Sequence, residues 1–119
     1  MNSNDLKNRT KEYALKIIKI VNLLPKTITG RAIGNQLIRS GTSVGANYRA
    51  ALRSRSKIEF ISKLGIVIEE SDESVFWLEV IVESNLLNEQ IIKPFLKETN
   101  ELVSIFVATK KSAFSNLKS

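Results

Sequence analysis

The chain has 119 residues, of which 43% are hydrophobic, and a net charge of +6 at pH 7, a composition typical of one globular domain rather than a disordered segment. Cysteine and histidine are absent, which excludes disulfides, thiol nucleophiles, and the commonest zinc ligand and general base. No apolar run is long enough to span a membrane and the N-terminus lacks a signal-peptide pattern, so we expect a soluble, cytoplasmic protein.

The charge is distributed unevenly along the chain. Residues 1–63 contain 13 Lys or Arg and 3 Asp or Glu, a net charge of +10, whereas residues 64–119 contain 5 and 9, a net charge of −4. This asymmetry has two interpretations. The basic half can form a binding face, or the two halves can attract each other within one chain or between subunits.

Apolar residues recur every three or four positions along the chain, which predicts α-helices, and strand signals are missing. The first helix is expected to end before Pro25, because the residue preceding a proline disfavours the α conformation. The predicted helices span about 5–24, 29–53, 56–86 and 88–116, within a single domain over 1–119. Short connections between them imply an all-α, antiparallel up-down-up-down four-helix bundle.

The stretch "SGTSVG" in the second predicted helix has the composition of a loop. An apolar stripe nevertheless continues through it at steps of three and four, so we predict one helix despite roughly 1 kcal/mol of cost per glycine. The stripe consists of Ile33, Leu37, Gly41, Val44, Tyr48 and Leu52. Gly41 and Gly45, with Ala46 and Ala50, form a strip of small residues for a close contact between helices.

The starts of the third and fourth helices carry capping signals. Ser56 and Glu59 have the spacing of a capping box, and Asn88 is placed to cap the last helix. Pro94 lies too far into that helix for its first turn, which predicts a kink or a late start.

The third predicted helix has a wider apolar face than a simple surface helix. Trp77 lies on this helix and is interpreted as a packing or interface anchor rather than a base-stacking platform. Together with the strip of small residues, the wide face predicts that the bundle also packs against copies of itself.

Arginines gather on the side of the second helix that is opposite its apolar stripe. Arg31, Arg49 and Arg53 lie within about 40° of one another, and Arg39 lies about 40° further round. The basic character continues past the turn with Arg55, Lys57 and Lys63. These residues can bind a phosphate backbone, or they can form a solvated or salt-bridged face.

Carboxylates cover an arc of about 120° on the third predicted helix. They are Glu69, Asp72, Glu73, Glu79 and Glu83. Without histidine they cannot build the Glu-x-x-His pairs of a di-iron bundle, so no metal and no cofactor are expected. A salt-bridged face fits better, since an antiparallel hairpin places Arg39 level with Glu70. The same register places Arg31 level with Glu79.

Residues 37–81, "LIRSGTSVGANYRAALRSRSKIEFISKLGIVIEESDESVFWLEVI", resemble the 23S rRNA intervening-sequence protein family of four-helix-bundle proteins. Three segments carry the resemblance: a Leu-x-Arg core in the second helix, an Arg-Ser-Lys-x-Glu-Phe turn, and an acidic-then-aromatic segment. The matching residues are Leu37, Arg39, Ser40, Ser43, Val44, Ala46 and Asn47; then Arg55, Ser56, Lys57, Glu59 and Phe60; then Glu70, Asp72, Glu73, Phe76, Trp77, Leu78 and Glu79. The proline that ends the first helix and the start of the fourth helix also fit.

The resemblance implies a left-handed antiparallel four-helix bundle that assembles as a homopentamer. It also implies a bacterial protein related to genes within insertions in 23S rRNA genes. The family is similar to the accessory variability protein of diversity-generating retroelements, a basic pentameric barrel that binds nucleic acid and a reverse transcriptase. Nucleic acid (RNA or DNA), a reverse transcriptase or another protein, and further copies of the chain are therefore the expected partners.

Three hypotheses about function follow. The first is a non-enzymatic, oligomeric nucleic-acid-binding accessory protein, and the second is a structural or protein-interaction scaffold that binds no nucleic acid. The third, a metal-dependent enzyme, has no positive support. No nucleophile–base pair, phosphate-binding loop or nucleotide fingerprint is visible, so no catalytic residue is predicted.

Overall fold

The computed structural model describes residues 1–118. Within them the chain forms four α-helices and no strand: α1 (Ser3–Leu23), α2 (Ile28–Leu52), α3 (Lys57–Glu83) and α4 (Glu89–Lys118). The prediction of an all-helical four-helix bundle is confirmed. The bundle measures 51 × 21 × 20 Å, since its longest helix alone, at 1.5 Å per residue, reaches about 45 Å. In the described residues, no helix has a stretch long and apolar enough to cross a membrane.

Side-chain caps set the helix starts. Asn2 and Asp5 form a capping box in front of α1, with hydrogen bonds of 2.9 and 3.2 Å, which starts this helix two residues earlier than predicted. At α3, the Ser56 hydroxyl accepts from the backbone N–H of Glu59 at 3.1 Å. The Glu59 carboxylate forms an ion pair with Lys63 at 3.2 Å, so only half of the predicted capping box is present.

The connection between α3 and α4 is longer than predicted. Asn85 has a φ of 61°, in the left-handed region, and α3 ends at Glu83 rather than near residue 86. The side chain of Asn88 accepts from the backbone N–H of Gln90 at 2.8 Å, and α4 begins directly afterwards. The helix continues through Pro94, so the late start that the sequence allowed does not occur.

Glycines bring α1 and α2 close together. A Cβ atom at Gly41 would lie 2.9 Å from Cγ2 of Ile17, and one at Gly45 would lie 3.1 Å from Oγ1 of Thr10. The glycines of the predicted strip therefore occupy the α1–α2 contact, where larger side chains would not fit. Ala46 does not extend the strip, because it lies 100° further round α2 than Gly45 and is exposed.

Polar contacts accompany the apolar core. The hydroxyls of Tyr13 and Thr99 are hydrogen-bonded across the bundle at 2.6 Å, and the hydroxyls of Ser40 and Ser74 at 2.9 Å. Tyr48 packs against the ring of Phe106 with a centroid distance of 5.3 Å. Large apolar side chains fill the remaining space, among them Ile17, Ile20, Leu37, Leu64, Leu78, Ile81, Ile92 and Leu102.

Side chains alone join α1 to α4, because no pair of Cα atoms from these helices lies within 8 Å in the described part of the chain. The guanidinium of Arg9 reaches across this seam to Glu98 at 2.6 and 2.8 Å and to Glu101 at 3.1 Å. The hydrogen bond to Glu98 is the main cause of a raised pKa at Arg9. This cation therefore acts as a tie between helices and is not available to a ligand.

The free energy of unfolding is expected to fall above pH 10 because of Tyr13. Burial raises the pKa of the Tyr13 phenol from 10.0 to about 12, since a phenolate is poorly solvated in the core. The pKa of Tyr13 is higher in the folded protein than in the unfolded chain. The stability that the protonated phenol contributes is therefore complete below pH 10 and is lost between pH 10 and 12. The loss has a slope of up to about 1.4 kcal/mol per pH unit.

Urea unfolding of the wild type and of Tyr13→Phe at pH 9, 10, 11 and about 12 measures this effect. We expect the variant to lose stability with pH less steeply than the wild type. Burial also raises the pKa of Tyr48, but this contribution is common to both proteins and cancels in their difference. Equal slopes in the two proteins would contradict the assignment to Tyr13.

Candidate nucleic-acid interface

The longest stretch without carboxylates covers the end of α1, all of α2 and the start of α3. Residues 13–58 contain nine Lys or Arg and no Asp or Glu. Helix α2 therefore has no acidic residue with which its own arginines can pair. This continuous absence is visible in the sequence and is a stronger signal for a polyanion-binding surface than the net charge alone.

The predicted arginine arc lies on the solvent-exposed side of α2. Arg31, Arg49 and Arg53 are exposed, and within residues 1–118 none of them forms an ion pair. Leu37 and Val44 lie on the opposite side and are fully buried. Arg31 is 18 residues before Arg49, which corresponds to about 27 Å along the helix. The arc is therefore divided between the two ends of the bundle.

Two of the predicted basic residues are held by carboxylates. Arg39 pairs with Glu70 at 3.2 Å and with Glu73. Lys63 pairs with Glu59 one turn earlier on the same helix. These two cations hold neighbouring groups in place and contribute less to a free basic surface than the others do.

Arg31 does not pair with Glu79, although the two residues were predicted to lie level. Eight residues separate Arg31 from Arg39, which rotates Arg31 about 80° away from the side of α2 that faces α3. Arg31 instead lines a pocket of about 380 Å³ at the α1–α2 connection, together with Lys26 and Asn35. An equal position along the bundle axis was thus insufficient to predict an ion pair, because Arg31 does not lie on the side of α2 that faces Glu79 on α3.

Four free cations form a group at the connection between α2 and α3, which we call the turn cluster. Its members are Arg49, Arg53, Arg55 and Lys57. All four are exposed, and none has an ion pair in the part of the chain that the structure describes. Arg55 and Lys57 also line a shallow depression of about 350 Å³. Like charges this close repel one another, and a bound polyanion would relieve that repulsion.

Topology adds basic residues that the sequence did not assign to this surface. The C-terminal half of α4 lies beside the start of α3. A Cβ atom added to Gly65 of α3 would lie 3.3 Å from the Nζ atom of Lys110 of α4. Residues 46–63 and 104–117, which meet at this end of the bundle, contain seven Lys or Arg and one carboxylate. Lys110 and Lys111 are the two basic residues that α4 contributes. They were not predicted at this surface because they are far from the α2–α3 connection in the sequence.

The carboxylates of α3 fall into two groups. Glu59 forms an ion pair with Lys63, and Glu70 and Glu73 pair with Arg39, whereas the remaining ones are exposed and have no ion pair within residues 1–118. The unpaired carboxylates are Glu69, Asp72, Glu79 and Glu83. Among the described residues, no group of three or more potential metal ligands is placed to hold an ion.

Trp77 packs against the core from the edge of α3 and is only partly exposed. Its ring meets that of Phe76 edge-on at a centroid distance of 4.9 Å. The indole N–H is buried and has no hydrogen-bond partner among the residues that the structure describes. Tyr48 is buried, so neither its ring nor that of Trp77 offers the turn cluster a platform for stacked bases.

Comparisons with known proteins concern the family and the fold of the chain. The sequence pattern described as "23S rRNA-intervening sequence protein" matches residues 2–108. A solved structure, of a protein of unknown function from the S23 ribosomal protein family of Bacteroides thetaiotaomicron VPI-5482, is similar with a TM-score of 0.86 and 28% sequence identity. The similarity covers 93% of this chain and 99% of that chain. No curated protein matches the sequence.

Proposed function

The chain belongs to the 23S rRNA-intervening sequence protein family, and from this premise we propose that it is a non-enzymatic, oligomeric protein that binds nucleic acid through its turn cluster. The observation that carries the proposal is the group of four exposed cations that form no ion pair with residues 1–118, at the end of a stretch of 46 residues that contains no carboxylate. Lys and Arg side chains on such a surface can neutralise the phosphates of a nucleic acid and release their counterions. Recognition would be independent of base sequence, since contacts to phosphates carry no sequence information.

A salt titration tests this function. Single-stranded RNA is titrated with the protein between 50 mM and roughly 300 mM salt, and the binding constant is followed by fluorescence anisotropy. If all four cations of the turn cluster contact phosphates, the logarithm of the binding constant should fall with the logarithm of the salt concentration with a slope of about −3. Absence of binding to RNA and DNA at low salt would contradict the proposed function.

Assembly is part of the same proposal. We propose a homopentamer, which is supported by the resemblance stated above and by large apolar side chains on the surface, including Leu15 and Phe76, which are 53% and 54% exposed. A reverse transcriptase or another protein is a further candidate partner. That part of the proposal rests on the resemblance to the accessory variability protein alone.

A specific observation favours a second function, that of a structural scaffold without nucleic-acid binding. Four carboxylates of α3 and the cations of the turn cluster are exposed, and none of them forms an ion pair within the described part of the chain. Contacts between copies of the chain would neutralise both sets of charges. In that case the assembly would weaken with salt, while RNA and DNA would not be retained at any salt concentration.

A further inference from the structure

The outer face of α3 presents an apolar side chain between carboxylates. Phe76 is 54% exposed. Asp72 and Glu79 lie about one turn before and after it on the same face, and Glu69 and Glu83 lie about two turns away. All four carboxylates are exposed and lack ion pairs among residues 1–118. We call these five residues the acidic face.

The outer face of α1 also presents an exposed apolar side chain between charged residues, but these residues are positively charged. Leu15 is 53% exposed, and Lys11 and Lys19 lie one turn before and after it. Both lysines are exposed, and neither forms an ion pair with any described residue. We call these three residues the lysine face. Each face thus combines an apolar centre with a charged rim, the arrangement found in protein–protein interfaces.

The two faces cannot meet within one molecule. Helix α1 packs on α2, and α3 packs on α2 and α4, whereas no pair of Cα atoms from α1 and α3 lies within 8 Å in the described residues. The side chains of Tyr13 and Ser74 link α1 to α3 inside the core, on the side away from both outer faces. The helices are therefore diagonal in the bundle. Phe76 and Leu15 each lie on the side of their helix turned away from its buried stripe. Their complementary charges can therefore meet only across a contact between two molecules.

We propose that the acidic face of one copy docks on the lysine face of the next. The inference rests on the assembly proposed above and identifies the two surfaces that would form it. Docking buries Phe76 and Leu15 and places the like charges of each helix against charges of the opposite sign. Because the two surfaces differ, the contact is heterologous, and repeated contacts of this kind close into a ring where the rotation between successive copies adds up to a full turn. The turn cluster is outside both faces and stays free for nucleic acid.

Charge reversal tests the pairing of the faces. One variant reverses the acidic face (Asp72→Lys with Glu79→Lys), a second reverses the lysine face (Lys11→Glu with Lys19→Glu), and a third carries all four substitutions. Lys93→Glu with Lys97→Glu is the control, because these exposed lysines of α4 belong to neither face. Light scattering at micromolar concentration gives the mass, and circular dichroism confirms that each variant is folded.

We expect each single-face variant to dissociate toward the monomer mass of 13.4 kDa, because two faces of like charge then oppose each other. The four-substitution variant should regain the wild-type mass, since its exchanged charges are again complementary. The control should keep the wild-type mass as well. This recovery distinguishes a direct contact between the two faces from a general effect of surface charge.

Other outcomes overturn the proposal in distinguishable ways. A monomeric wild type would overturn both the assembly and the pairing. An oligomeric wild type whose single-face variants keep the full mass would leave the assembly intact and overturn only the choice of faces. Folded single-face variants that dissociate without recovery in the four-substitution variant would overturn the pairing. Loss of RNA binding by the Lys11/Lys19 variant, with its mass unchanged, would assign the lysine face to nucleic acid instead.

Discussion

Replacing Gly41 by leucine is expected to destabilise the protein by roughly 1–3 kcal/mol or more. A Cβ atom at this position would lie 2.9 and 3.0 Å from two carbon atoms of Ile17, which is fully buried. Ile17 is branched at Cβ and has few alternative rotamers, so it cannot move aside within the packed core. The helices α1 and α2 would have to separate, which would loosen the contacts of both with the rest of the bundle.

Gly65→Ala is the matched control for the Gly41 substitution. Gly65 also lies inside a helix, but the nearest atom to an added Cβ is Nζ of Lys110 at 3.3 Å, at the end of a flexible side chain. Alanine is the better helix former by about 1 kcal/mol, so this variant should be as stable as the wild type or more stable. Thermal unfolding measures both. A melting temperature of the Gly41→Leu variant equal to that of the wild type would show that the α1–α2 contact is looser than the structure indicates.

The sequence predicted those features that depend on helical period. The apolar stripe through "SGTSVG" predicted that α2 is one continuous helix, and α2 runs from Ile28 to Leu52 without a break. The register of the α2–α3 hairpin placed Arg39 level with Glu70, and these two residues are 3.2 Å apart. Both inferences need only the repeat of 3.6 residues and a short connection.

Features that depend on several helices at once were not predictable in this way. Arg31 and Glu79 were placed level, but the rotation of α2 turns Arg31 toward α1. Lys110 joins the basic end of the bundle only because α4 is long enough to extend beside the start of α3. The length and tilt of each helix decide such convergence, and they follow from packing of the whole bundle rather than from any one segment.

Replacing Arg49 and Arg53 together by glutamate is expected to abolish binding of RNA and DNA while leaving the fold and the assembly intact. Both side chains are exposed and one turn apart, and neither has an ion pair in the described residues. The change removes two of the four cations of the turn cluster and places two carboxylates against the phosphates. Since Arg49 and Arg53 repel each other by a few tenths of a kcal/mol in the free protein, the fold should lose little stability.

The control for this variant is Lys93→Glu with Lys97→Glu, which alters the net charge of the protein by the same amount at the opposite end of the bundle. If binding depends on the turn cluster, the control should retain most of its affinity at each salt concentration, whereas the Arg49/Arg53 variant should show none. Equal losses in both would mean that net charge, rather than a defined surface, attracts the nucleic acid. Dissociation of the Arg49/Arg53 variant into monomers would instead show that the turn cluster contacts carboxylates of a neighbouring copy, as the scaffold function requires.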